Sequence, residues 1–262
     1  SEVVVSMKVI FASAIVHMKQ AIARSMFRYC LFLNPLCNAV LLGLMYSNKS
    51  NQEFTLYAIL GTSLSSFWTI ICFSSAADIN REKYLGTLPI LFTSPSGFKK
   101  IILGKLLGNS LWGVIAFLLN VFFVMILFGR IMAVKIYSLL VIVIVLAVLT
   151  FVSIGMLMCS VFTLSRSARL LMNLIEYPLL LITGMVFPLD FINQYIKWIS
   201  YILSPTWVME GFKLAVYGGN SKEIFIVISI LSLLTVFNFI IAYFAFISIE
   251  KKSRIDATLE VY

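Results

Sequence analysis

Long uninterrupted apolar runs dominate the chain, and only its first segment alternates. Over 3–28, Met7, Phe11, Ile15, Met18 and Ile22 recur at helical spacing, with Ser13, His17, Gln20, Arg24 and Arg28 on the opposing stripe. This pattern predicts an amphipathic helix lying in a membrane interface, its basic polar face toward water. His17 is the single histidine of the chain. It falls on the polar stripe and is expected to be solvated. No long apolar core precedes a small-residue cleavage site, so a cleavable signal peptide is not expected.

Six apolar runs follow, at about 29–46, 54–77, 101–128, 136–162, 171–187 and 223–249. A crossing needs roughly 20 apolar residues, so each run reads as a membrane span. Asn34, Pro35 and Asn38 predict a kink or break in the first. The stretch 188–222 fits neither a turn nor a span. Phe191 to Ile202 gives one short helical pattern, Pro205 restarts the chain, and Trp207 to Leu214 gives another. Two short helices dipping into one leaflet fit this stretch, and its Trp and Tyr residues suit the interface.

Composition agrees with the pattern. Of 262 residues, 61% are hydrophobic and 12% charged. A soluble domain carries about twice that share of charge. The expected fold is therefore all-α: one polytopic membrane domain over 1–262, with no room for a soluble catalytic domain of ~100 residues. Cys30, Cys37, Cys72 and Cys159 lie in apolar runs without CxxC spacing and read as buried reduced thiols.

The net charge of +9 is read through topology. With the N-terminus inside, fourteen of the 20 Lys and Arg fall on cytoplasmic segments, including Arg24, Arg28, Arg81, Lys99, Lys100, Arg166 and Lys251. The remaining six, Lys49, Arg130, Lys135, Lys197, Lys213 and Lys222, fall outside. That bias favours six spans with both ends cytoplasmic.

The segment 78–100 between the second and third runs carries charges first, then Gly86, then an apolar stretch ended by Ser94-Pro95. A helix over about 79–93, kinked or divided at Pro89, would expose Leu85, Leu88, Leu91 and Phe92 as an apolar knob. A solvated surface helix and a docking element for a cytoplasmic partner fit this spacing equally.

Arg81-Glu82, Gly86-Thr87-Leu88, Ser94-Pro95 and Gly104-Lys105, in this order, resemble the pattern of type-2 permeases of ATP-binding-cassette (ABC) exporters. Gly184-Met-Val-Phe-Pro188 resembles that family's exit from span five. Ser204-Pro205 followed by Gly211 and Lys213 resembles its outer re-entrant segment. The resemblance covers essentially the whole chain. One departure stands out: the family's usual Glu after Gly-Thr-Leu is Pro89 here.

The resemblance implies an ATP-driven exporter working by alternating access. The permease would pair with a second copy or a sister chain, and a cytoplasmic ATPase dimer would dock on Arg81, Glu82, Tyr84, Leu85, Gly86, Thr87, Leu88, Ser94 and Pro95. This chain would bind no cofactor itself, with ATP and Mg held by the partner, and no nucleic acid. It lacks GxxxxGK[ST], so Gly104-Lys105 is not a phosphate cradle. The loop looks more like that of drug and peptide exporters, implying a hydrophobic or amphipathic substrate.

Polar residues within the spans leave alternatives open. Glu176 could pair near the interface with Arg169 or Asn173, line a wet substrate path, or carry a proton. Thr62, Ser65, Ser66 and Thr69 could serve helix packing or line a translocation path. A glycan or polymer exporter, a secondary transporter and a structural subunit remain rivals, whereas a membrane-embedded enzyme lacks the clustered His, Asp or Glu it would need.

Overall fold

A computed structural model describes residues 2–94, 97–164 and 168–256, and every regular element among them is helical. The order is α1 (Glu2–Ala23), α2 (Ser25–Tyr46), α3 (Asn51–Glu53) running through a π-helical segment (Phe54–Gly61) into α4 (Thr62–Tyr84), then α5 (Leu88–Thr93), α6 (Phe98–Phe128), α7 (Tyr137–Leu164), α8 (Ala168–Ile182), α9 (Gln194–Ile202), α10 (Ser204–Tyr217) and α11 (Ser221–Asp256). Five helical stretches are long and apolar enough to cross a bilayer: Ser25–Tyr46, Asn51–Cys72, Phe98–Phe128, Tyr137–Thr163 and Ser221–Ser248. Leu170–Ile182 is apolar but shorter.

The π-segment and α4 form the centre. In an apolar 18-residue stretch of Asn51–Cys72, 89% of the residues are buried, against 11% in that of Ser221–Ser248, so the former is enclosed by protein and the latter is peripheral. A helix so rich in Ser and Thr can occupy the centre because its hydroxyls bond back to their own helix. Ser63 Oγ donates to Ile59 O, Ser74 Oγ to Ile70 O and Ser75 Oγ to Ile71 O. Thr62 Oγ1 reaches both Tyr57 O and Ala58 O where the wide π-turn ends. Apolar burial supplies the rest. Phe67 and Trp68 both meet the Phe151 ring edge-on, at 4.9 and 5.4 Å between centroids.

Several expectations change. The first helix stops at Ala23, not 28, because Arg24 is extended (φ −80°, ψ 120°), and Arg28 belongs to α2. α2 runs unbroken through Pro35. The buried Asn120 amide donates to Pro35 O and Ser66 Oγ, and Asn38 donates to Asn34 Oδ1, so neighbours stabilise the polar stretch that suggested a break. The fifth run ends as helix at Ile182, where Gly184 turns the chain with φ +78°. Cys72 and Cys159 are buried, but Cys30 is half-buried and Cys37 exposed on α2; none of the four is paired.

The 188–222 stretch does form two short helices. Pro188 precedes a single 3-10 turn (Leu189–Phe191), and Pro205 sits in the first turn of α10, where no amide donor is needed. They differ in environment: α9 exposes Tyr195, Trp198 and Ile202, whereas α10 buries Val208, Phe212, Ala215 and Val216. Gly211 lets α10 approach α7, since a Cβ there would lie 2.8 Å from Val143.

Candidate functional site

The joint between α1, α4 and α6 gathers the densest set of polar side chains. It begins with glycine. A Cβ on Gly104 would lie 2.5 Å from the Ile10 carbonyl oxygen, and one on Gly108 2.9 Å from that of Ala14. These two residues, four apart on α6, let the α1 backbone settle directly onto it, as small residues do where helices meet in membranes. The face of α1 turned inward carries Ala14, His17 and Ala21.

His17 is therefore not solvated; it is 2% exposed. Its Nε2 lies 2.8 Å from Asn109 Oδ1 and 3.1 Å from Asp78 Oδ2. Both are acceptors, because Asn109 turns its Nδ2 donor to Asp78 Oδ2 at 3.2 Å, so Nε2 carries the ring proton. Arg24 Nη2 stands 3.6 Å from Asp78 Oδ1, half in solvent. Burial pushes the His17 pKa down, the Asp78 charge and the Asn109 bond oppose it, and the net value stays below the usual 6.5. The imidazole is neutral at pH 7. The cluster thus holds one carboxylate, shared by three donors from two other helices and the α1–α2 joint.

One turn further along α4, a second group anchors the chain reversal. Leu85 N donates to Arg81 O, Thr87 N donates to Glu82 O at 3.0 Å, and Gly86 has φ +65°. This is a helix C-cap that needs glycine at the left-handed position. The Glu82 carboxylate accepts from the Thr87 hydroxyl and from the Lys105 ammonium. Burial pushes its pKa up, but the bonds from Lys105 and Thr87 outweigh that and hold it below the usual value. Between the two groups a cavity of about 10 Å³ is lined by Asp78, Glu82, Lys105, Asn109 and Cys159, room for about one water.

The structure thus brings together three pieces of the sequence pattern: Glu82, Thr87 and Lys105. Arg81 is half-buried beside them. Tyr84 (91% exposed) and Leu85 (55%) stand out at the turn. The helix expected over 79–93 is two elements, the tail of α4 and the six-residue α5, divided at Gly86 rather than at Pro89, which lies in the first turn of α5. Leu91 packs against the core instead of joining a knob. Leu88 opens α5 and Ser94 follows it, its carbonyl accepting from Gly97 N. Pro95 and Arg166 lie outside the described residues.

Of the candidate path residues, Thr62, Ser65, Ser66 and Thr69 lie on the central helix α4, and Asn173 and Glu176 on α8. Ser65 Oγ donates to Thr62 O, and Ser66 Oγ accepts from Asn120 and Asn38. Glu176 is buried, 5% exposed, with Thr69 near it, while Asn173 on the same helix is exposed. At the opposite end of the bundle, Gly184 lines a cavity of about 70 Å³ with Tyr57, Asp190, Lys197, Glu210 and Lys213, between the π-segment and the α9–α10 pair. Asp190 and Lys197 pair there at 2.8 Å.

The residues missed from the pattern are Asp78 and Asn109 as partners of His17. A signal was present: Gly104 and Gly108 are four apart at the start of a span, with Asn109 next to the second. Among the described residues, no group of three or more His, Cys, Asp or Glu could hold a metal.

Comparison with known proteins agrees with this architecture. A family model described as ABC-2 type transporter matches residues 9–217. A search of curated proteins finds no match.

Proposed function

The chain belongs to the ABC-2 type transporter family, and from that premise we propose that it is the membrane-spanning half of an ATP-driven exporter whose α4–α5 turn docks on the ATPase. The family makes the chain a transport component of a membrane, working with an ABC ATPase that carries out hydrolysis. The observation that carries the docking assignment is the construction of the turn. Glu82 fastens Thr87 and Lys105 together, so Tyr84 and Leu85 protrude from a fixed support. An exposed aromatic and an exposed leucine on a rigid turn suit insertion into a groove of a partner.

In this reading the chain crosses six times, with Leu170–Ile182 as the short fifth crossing and both termini cytoplasmic. Two permease halves, identical or sister chains, enclose the path. Closure of the ATPase pair pushes the turn, and the anchored ends of α4 and α6 move as one body between inward- and outward-open packings. The α9–α10 pair re-enters the outer leaflet. The cargo is hydrophobic or amphipathic, a lipophilic drug or antimicrobial peptide. Glu176 on α8, near Thr69 of the central helix, offers a cationic cargo a buried carboxylate.

The test is capture of the ATPase from mildly solubilised membranes by the full chain, unaltered and as Tyr84→Asp/Leu85→Asp. The unaltered chain should retain an ABC ATPase, and the variant should lose it with an unchanged thermal midpoint. Retention by the variant, or no ATPase with either, overturns the assignment.

A further inference from the structure

The seating of α1 leaves its other face unpartnered, and that face has a definite chemistry. Met7, Phe11, Ile15 and Ile22 are 44–62% exposed. These are four of the five residues of the stripe expected to meet lipid, and the structure leaves them free to do so; the fifth, Met18, is half-buried toward Gly108. Lys8 and Lys19 are both exposed. They are eleven residues apart, so at 100° per residue they project within about 20° of each other, along one edge of the stripe and ~16 Å apart. His17 points about 180° from Lys8, so the lysines face away from the bundle. Across the α1–α2 joint, Arg28 is exposed beside exposed Met26 and Tyr29.

Among the described residues these cations have no internal counter-charge. No acidic residue occurs between Glu2 and Glu53. The carboxylates on adjoining α4 are already engaged, Asp78 with His17, Asn109 and Arg24, and Glu82 with Lys105 and Thr87. Among the described residues, none of Lys8, Lys19 or Arg28 takes part in an ion pair. An apolar stripe edged by long cationic side chains, whose stems can lie along acyl chains while their heads reach phosphate, matches one surface: a bilayer carrying anionic headgroups.

We propose that the outer face of α1, with Arg28, is a binding surface for anionic phospholipid. The same helix presents His17 to Asp78 on its inner face, so lipid held outside presses α1 onto the α4–α6 joint. The inference does not depend on what the transporter carries.

The test uses the full chain with a Phe11→Trp reporter, placed in vesicles of brominated phosphatidylglycerol or brominated phosphatidylcholine. Quenching of the reporter above the Phe11 parent measures which lipid occupies the α1 face. Phosphatidylglycerol should be preferred about tenfold at low salt, and the preference should shrink as salt rises. Lys8→Gln/Lys19→Gln/Arg28→Gln should bring the ratio close to one, while Lys8→Arg/Lys19→Arg/Arg28→Lys, which keeps the charges, should restore it. Lys135→Gln/Lys222→Gln at the far end should leave it unchanged. A ratio near one for the unaltered chain, or a preference that survives triple neutralisation, overturns the proposal. So does an equal loss in the far-end variant. If the ratio is flat but triple neutralisation releases the ATPase, the surface belongs to that protein instead.

Discussion

Replacing Asp78 tests whether α1 is seated as described. Asp78 accepts from Asn109 at 3.2 Å and from His17 at 3.1 Å, with Arg24 at 3.6 Å. Asp78→Asn keeps one acceptor oxygen for the two neutral donors but removes the charge. Hydrogen bonds to charged groups contribute about 1.5–3 kcal/mol and neutral ones about 0.5–1.5, so two bonds lose roughly 2 kcal/mol together. Asp78→Leu removes the acceptor altogether: the buried Asn109 amide donor is stranded, while His17 Nε2 keeps Asn109 Oδ1 at 2.8 Å. One stranded donor costs about 1–3 kcal/mol and the lost contact of His17 with the charge about 1 kcal/mol more, so the loss is roughly 2–4 kcal/mol. Arg24, half in solvent, adds little to either sum. For a chain of this size the second substitution should lower the thermal midpoint by about 4–16 °C. The assay is the thermal midpoint of the full chain in detergent, run as a cycle with His17→Leu. The cycle should be non-additive by about 1–3 kcal/mol, since both substitutions break the same contact. A solvated His17 would behave otherwise: His17→Leu would be neutral and the two effects would add. That outcome would refute the seating of α1.

The pH dependence carries its own sign. His17 titrates below 6.5 when folded and at its ordinary value when unfolded, so between those values the unfolded chain binds more protons. Its contribution is complete above about 6.5 and is lost as pH falls below it; His17→Gln should flatten that part of a midpoint-versus-pH curve, and an unchanged slope would contradict the burial. Gly104→Leu should separate α1 from α6, because even a Cβ would lie 2.5 Å from the Ile10 carbonyl. The expected loss is about 1–3 kcal/mol, read as a lower midpoint together with faster hydrogen exchange across α1, and α1 protection equal to the parent would argue against the contact.

Much of this protein is legible in a single chain. The apolar runs located the five longest apolar helices, though α4 and α11 each continue seven residues past the expected end, and Arg81-Glu82, Gly86-Thr87 and Gly104-Lys105 in order pointed to the right family before any geometry. The internal logic of that motif was not legible. Glu82 lies five residues before Thr87 and 23 before Lys105, and only folding shows that one carboxylate fastens both. The division of 79–93 at Gly86 was hidden because Pro89 looked like the stronger breaker. Proline in the first turn of a helix breaks nothing.

The first helix shows where the boundary lies. Its periodicity determined that one face is apolar and the other polar, and the alternation is real. Which face meets protein was decided by tertiary structure, and in the opposite sense to that expected from water. In a bilayer, lipid solvates the apolar stripe as well as a protein core would, so that stripe gains little by turning inward. The small and polar residues gain most from contact: Ser13 against Gly104, Ala14 against Gly108, and His17 against Asp78 and Asn109. Hydropathy alone determines that a helix belongs at the membrane. Close backbone approach and the satisfaction of buried polar groups determine how it faces its neighbours.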